Sequence, residues 1–480
     1  MITRESRKGP DPIRDDSGET GRVNDIELLE AAARLAIGYV AGADARPAAP
    51  TDGALAALAA FDEPLPEQGA DPAEALQMLS DFADPATMVS SGPNYYGFVN
   101  GATFPVALGA AFLVNAWDQN AALPVMSPAA AKLHDTARSW LLDVLRLPAS
   151  ADVSFVTGAT VANASCMAAA RDELLDRAGW DSKSDGVFGA PEITVVVGDN
   201  VHSTVRKSLG LIGLGSDRVV RAPTDDQGAI IAAELPTELP AGPILVCAQA
   251  GEVNTGAFDP FDEIADWLAS TTDNGWLHVD GAFGLWALAD PSRRHLVRGL
   301  DRADSWATDG HKWLNVTYDC GIAMVARPGA LRRTFSSVAG YLPPETGFEA
   351  MHHSPQSSQR ARQVEVWAVL RSLGRVGVAN LVQRASAGAQ LIAERLGAVG
   401  FDVLNDVVIN QVLVRWNDSS STERLLAAVQ HDGRIWCGAT HWNGETAMRI
   451  SVSSWKTTLA DASRAADVII ECARRIDADE

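Results

Sequence analysis

Lys312 is the residue best equipped for covalent chemistry. It lies in TDGHKW, residues 308–313, and is one of six lysines in a 480-residue chain that carries thirty-three arginines. Lysine is therefore not this chain's default surface cation. An amine set between the imidazole of His311 and the indole of Trp313 can be partly desolvated, which lowers its pKa and frees it to attack a carbonyl carbon. The same placement also suits a lysine whose head reaches solvent past Trp313. The second group is Asp280, in WLHVDGAFG at 276–284, where an apolar run ends in a carboxylate and small residues follow at once.

The elements that must position these two groups are strands. If 276–279 and 305–308 are strands of an open α/β sheet, Asp280 and Lys312 both lie beyond carboxyl ends, where such sheets bind ligands. An aldehyde cofactor held by a lysine, with a carboxylate on its ring nitrogen, describes pyridoxal phosphate. A strand-end aspartate also serves as a turn or cap residue, so the pair needs further parts.

Those parts come earlier in the chain. FVTGATVANASCMAAARD, 155–172, reads as strand, small-residue turn and helix. Amides at the start of that helix, with the Thr160 hydroxyl, suit a phosphate at the positive end of the helix dipole, and Ala159 leaves room for close approach. Asn163 offers a side-chain contact one turn further in. His202 follows the next strand in GDNVHSTVRKSLGLIG, where a flat ring could stack on a planar heterocycle or simply cap a helix. In QAGEVNTGAFDPF, Asn254 and Thr255 could contact ring substituents or serve turn chemistry alone.

Gly158-Ala159-Thr160, His202, GEVNTGAFD, HVDGAFG and HKW, in this order and spacing, resemble the group II pyridoxal phosphate-dependent decarboxylases. That family includes aromatic L-amino acid, histidine, tyrosine and glutamate decarboxylases. The resemblance implies pyridoxal phosphate held covalently by Lys312, with Asp280 keeping the pyridine nitrogen protonated and His202 stacked on the ring. It implies phosphate contacts from Ala159, Thr160 and Asn163, a ring contact from Asn254, and a phosphate or orienting role for His311. Tyr341 in AGYLPP resembles the family's loop tyrosine that returns a proton to Cα, with His352 and His353 as alternatives in the same loop. The implied reaction is decarboxylation of an L-amino acid to the amine. Aldehyde formation, a transaminase or another lyase of the same fold, and a non-catalytic scaffold stay open as alternatives. Glu252-Val253 depart from the two threonines of many relatives, which weakens the ring contact expected of Asn254.

The implied fold is α/β of the aspartate aminotransferase type (fold type I), normally a homodimer. Its parts here are an N-terminal tail and helical dimerisation segment at 1–92, a large cofactor-binding domain with a mostly parallel seven-stranded sheet at 93–376, and a small α+β domain at 377–480. Strands are expected at 153–156, 193–197, 218–221, 244–248, 276–279, 305–308 and 322–325, alternating with helices. Helices are expected at 26–39, 54–61, 72–82 and 106–117, and after Ser127-Pro128, a cap and first-turn pair.

Composition sets the limits. A net charge of −22 argues against nucleic acid or an anionic membrane as partner. Five cysteines without metal-like spacing fit reduced thiols in a cytoplasm. The polar start has no signal-peptide core, and no apolar run is long enough to span a membrane. For the substrate pocket, Tyr96, Phe98 and Trp117 suit an aromatic guest, while Asn100, Gln119 and Asn120 suit a polar one. The reading leans slightly to the aromatic.

Overall fold

Runs of Val, Ile, Leu and Ala that stop at small-residue turns become strands here because both sheet faces are covered. A computed structural model describes residues 25–337 and 347–479. Tyr341 lies outside them. In chain order the elements are α1 (Asp25–Gly42), α2 (Asp52–Ala57), α3 (Pro72–Met78), α4 (Pro105–Trp117), α5 (Pro128–Val144), β1 (Asp152–Val156), α6 (Ala159–Arg177), α7 (Ser182–Asp185) and β2 (Thr194–Gly198). Then come α8 (Ser203–Leu211), β3 (Val220–Ala222), β4 (Ile244–Gln249), α9 (Phe261–Thr271), β5 (Gly275–Asp280), β6 (Ser305–Asp309), β7 (Gly321–Val325) and α10 (Ala330–Phe335). The chain closes with α11 (Gln363–Gly397), β8 (Asp402–Val403), β9 (Gln411–Arg415), α12 (Ser419–Asp432), β10 (Gly438–Trp442), β11 (Glu445–Ser451) and α13 (Leu459–Asp479).

The chain divides into two units, 1–46 with 50–88, and 47–49 with 89–480. In the first, α2 starts at Thr51, whose side chain accepts the Ala54 amide, and α3 starts at Asp71 with Pro72 in its first turn. Arg46 ties to the Asp84 carboxylate at 2.6 Å. Helices α1, α2 and α3 bury no residue, and Ile26, Leu29 and Ile37 on α1 stand exposed.

The second unit is built on a seven-stranded sheet of order β1-β7-β6-β5-β4-β2-β3. Neighbours from β3 through β6 run parallel, and β7 runs antiparallel to both β6 and β1. Strands β2, β4, β6 and β7 are buried at every position, the pattern of strands covered on both faces. Small residues on α6 (Ala162, Cys166, Ala169, Ala170) are buried and let that helix lie close over β5, β6 and β7. Trp276 is fully buried with them, and Trp286, Trp306 and Trp313 are fully buried in the larger core. Each large apolar side chain so removed from water contributes about 1.5–3 kcal/mol.

Differences from the expected elements are local. The third strand is Val220–Ala222, shifted towards its C-terminal side and only three residues long. Helix α11 runs across 376/377, where a domain boundary was expected, after a break at Gly374, where φ is +60°. A second sheet, β10-β11-β9-β8, is wholly antiparallel. No helix among the described residues is long and apolar enough to cross a membrane.

Parallel order gathers the carboxyl ends of β2, β4, β5 and β6 at one edge, with β1 ending beside them because Val156 and Asp309 both pair with Gly321. A Cβ on Gly321 would overlap the backbone of Gly158. Gly321→Ala is therefore expected to cost about 1–3 kcal/mol as an overpacked site, seen as a lower thermal midpoint. Gly109→Ala, within α4 and with open space at the Cβ position, should instead stabilise by about 0.5–1 kcal/mol. Equal midpoints for the two variants would contradict the close approach.

Candidate active site

At that shared edge the chain assembles one carboxylate, one amine and two imidazoles. Asp280 is the last residue of β5, and its side chain accepts the Ala282 amide at 3.1 Å. Burial pushes its pKa up, while the charges of His202 and Lys312 and the Asn163 amide work to bring it down. A buried carboxylate in this position is suited to a cation, and a protonated ring nitrogen is one.

Lys312 follows β6 in a tightly held turn. Its Nζ lies 3.2 Å from Asp309 Oδ2. The backbone is clamped from two sides. Gly101 packs so close that a Cβ there would overlap the Lys312 carbonyl, and Asn315 donates to the carbonyls of Lys312, Trp313 and Ser453 while accepting the Ala102 and Trp455 amides.

His202 caps α8, its Nδ1 accepting the Thr204 amide at 3.3 Å and lying 2.7 Å from the Thr204 hydroxyl. Capping and a place in the site thus coincide in one residue. Gln249 at the end of β4 fixes the loop by accepting the His202 amide at 2.9 Å. Burial lowers the pKa of His202, against the pull of Asp280. His311 accepts the Cys320 amide on Nδ1, so its Nε2 carries the proton and faces Asp309 at 3.5 Å. Burial also lowers its pKa, and its ring stacks on Tyr318 with centroids 4.1 Å apart.

Ala159 and Thr160 open α6, as expected of a phosphate turn. The Ala159 amide, however, already donates to Asp309 Oδ1 at 2.6 Å. Asp309 was not singled out from the sequence, although its place three residues before Lys312, at a strand end, was a usable signal. With Gly158 small, Thr160 adjacent and the His311 N–H close by, the turn fits an anion, but one that must share the first amide with a carboxylate.

Two expected contacts are corrected. Asn163 is fully buried and turned inward, where its Oδ1 accepts from His278 Nε2 at 2.8 Å, so it sits beneath Asp280 and is not directed at the phosphate turn. Asn254, expected at the ring, has both ends of its amide engaged elsewhere: Nδ2 donates to Glu252 at 3.0 Å, and Oδ1 accepts from Thr440 at 2.8 Å and Arg449 at 3.4 Å. Glu252, the departure noted in the sequence, builds the turn by accepting the Asn254 and Thr255 amides at 2.6 and 2.8 Å. Arg449, on β11, was also missed. It is half-buried beside Glu252, donates to the Val253 carbonyl at 3.5 Å and acts electrostatically on His202.

Residues proposed for substrate or proton transfer separate. Tyr96 is core, 1% exposed. Phe98 is exposed and stacks on Trp436, and Trp117 is exposed. Asn100 accepts from the Tyr318 hydroxyl, Asn120 donates to Ser358, and Gln119 donates to the Trp117 carbonyl. His352 and His353 are buried rather than solvated. His352 pairs with Glu349 at 3.1 Å, and burial pushes His353 down to about 4. Arg360 pairs with Glu365 and Arg362 with Asp319, both just before or at the start of α11.

Comparison with known proteins accords with this arrangement. Residues 58–416 match the pyridoxal-dependent decarboxylase conserved domain. An aromatic-L-amino-acid decarboxylase of Bacillus atrophaeus is 25% identical over 417 residues, covering 82% of this chain and 84% of that protein. An L-2,4-diaminobutyrate decarboxylase of Rhizobium meliloti (strain 1021) is 29% identical over 434 residues, covering 86% and 85%. In structure, the Oryza sativa TDC solved with PLP and tryptamine superposes with a TM-score of 0.87 at 21% identity, over 96% of this chain and 100% of that one, which shows the shared fold. With a lysine, a buried strand-end carboxylate and an imidazole at one sheet edge, and the family's domain matched by residues 58–416, the chain belongs to the pyridoxal phosphate-dependent amino acid decarboxylases, a family of carboxy-lyases.

Proposed function

We propose that this chain removes the α-carboxylate of an L-amino acid, with a lean towards aromatic side chains, and releases the amine and carbon dioxide. The observation that carries this reading is the electrostatic cluster of Asp280, His202 and Lys312 beyond the ends of β5, β2 and β6. Pyridoxal phosphate, when bound, supplies an aldehyde for amines to condense with and a protonated ring that draws electrons from Cα.

The chain's own residues do the rest. Lys312 Nζ would hold the cofactor, with the Asp309 carboxylate 3.2 Å away as the partner of its positive charge. Asp280 holds the proton on the ring nitrogen. His202, whose pKa burial lowers against the pull of Asp280, would stack on the ring face. The Ala159 and Thr160 amides and the His311 N–H hold the phosphate. Tyr341 returns the proton to Cα, which makes the amine the product.

The lean to an aromatic substrate is supported by the exposed rings of Phe98 and Trp117 and by the Bacillus atrophaeus relative. A homodimer is supported by the apolar side chains that α1 leaves exposed. A cytoplasmic location is supported by five cysteines that are all unpaired and buried.

Lys312→Ala is expected to lose the visible absorbance of the reconstituted protein and the borohydride-fixed mass adduct. Asp280→Asn should keep the adduct while kcat falls about 100-fold or more. An adduct that persists in Lys312→Ala would remove that residue from its role. In a panel of L-amino acids scored for carbon dioxide release, aromatic substrates should lead 2,4-diaminobutyrate and the acidic amino acids. The reverse order would overturn the lean. Tyr341→Phe should lower amine output and, in the presence of dioxygen, raise aldehyde and hydrogen peroxide. Unchanged amine output would exclude Tyr341 as proton donor.

A further inference from the structure

Gln249 ends β4, the strand that lies between β5, which carries Asp280, and β2, whose following loop carries His202. It is buried, and its place is set on the β5 side by the ladder. Gln249 stands opposite Asp280 in the parallel register, and the next amide, that of Ala250, donates to the Asp280 carbonyl at 2.8 Å.

On the β2 side the Gln249 side chain grips the His202 loop at two points. Oε1 accepts the His202 amide at 2.9 Å, and Nε2 donates to the Asn200 carbonyl at 3.3 Å. A backbone N–H only donates and a backbone carbonyl only accepts, so these partners fix which end of the side-chain amide faces which. The His202 ring follows its own backbone, because Nδ1 is bound to the Thr204 amide and hydroxyl within the same turn. Whatever holds the His202 amide therefore aims the imidazole.

Asp259, also buried, fixes Gln249 in turn. Its Oδ2 accepts the Gln249 amide at 2.6 Å, its own amide donates to the Gln249 carbonyl at 3.1 Å, and its Oδ1 accepts the Ile230 amide at 2.8 Å. Both carboxylate oxygens face N–H donors, so an asparagine here would turn a donor against one of them.

We propose that Gln249, seated by Asp259, is a positioning residue that sets the place of the His202 ring relative to Asp280. A planar heterocycle that meets a carboxylate at its edge and an imidazole on its face needs the two at a fixed offset. Residue 249 is the one side chain that is in register with the first and hydrogen-bonded to the backbone of the second. A methionine there would fill similar space but release both the His202 and Asn200 contacts.

This inference rests on His202 lying over the cofactor ring, and the test separates the two. Wild type, His202→Ala, Gln249→Met and the double variant are loaded with pyridoxal phosphate. Visible circular dichroism of the bound cofactor is recorded, and kcat and KM are measured by carbon dioxide release from the best amino acid of the panel. His202→Ala should weaken the dichroic band and lower kcat; unchanged values would overturn the stacking role of His202, and this inference with it. Gln249→Met should weaken the band and lower kcat about tenfold or more, with KM moving less. In the His202→Ala background the same substitution should change kcat by less than about twofold, because its effect passes through a ring that is no longer there. Asp259→Asn, alone and combined with His202→Ala, should follow the same pattern and carries the test if Gln249→Met does not fold. Loss by the same factor in both backgrounds would mark a merely structural role and overturn the proposal. Wild-type kcat and dichroism in a folded Gln249→Met variant would overturn it as well.

Discussion

Keeping a carboxylate charged inside the protein is the constraint on which the rest of this structure depends. Taking such a group out of water costs several kcal/mol unless charges and donors around it compensate. Asp280 receives that compensation from several directions: the Ala282 amide, and His202 and Lys312 from neighbouring strand ends. No single element could supply them. The parallel strand order does, because it brings the ends of β2, β5 and β6 and the start of α6 to one edge while their interiors stay apolar.

What could be read in the sequence follows from that division. Strands buried on both faces appear as unbroken apolar runs, and a polar residue at the end of one stands out against them. Asp280, His202 and Lys312 were legible for this reason, and their order and spacing supplied the family resemblance. Ser127 and Pro128 start α5 as their chemistry requires, the Ser127 hydroxyl accepting the Ala130 amide. Boundaries were less exact where no turn residue marks them, as at the short strand Val220–Ala222.

Direction was harder to read than membership. Asn163 belongs to the site but faces inward, a matter of how α6 is rotated on the sheet, which its Ala-rich, nearly uniform surface leaves open. Glu252 was visible as a departure, yet only the three-dimensional turn shows that its carboxylate organises Asn254 and Thr255. Arg449 reaches the same loop from β11, nearly two hundred residues along the chain, and no local pattern links them. Asp309 was overlooked because the lysine beside it drew the chemistry. His352 and His353 look solvent-exposed in a Gly- and Pro-rich stretch, but packing against Phe348 and Glu349 buries them.

Asp309 also bears on how the start of α6 is held against the sheet. Its carboxylate meets the first amide of α6 and the Lys312 ammonium together, so the positive end of that helix and the amine share one internal counter-anion. One side chain thus ties the end of β6 to the start of α6, two segments one hundred and fifty residues apart, by charge as well as by hydrogen bond.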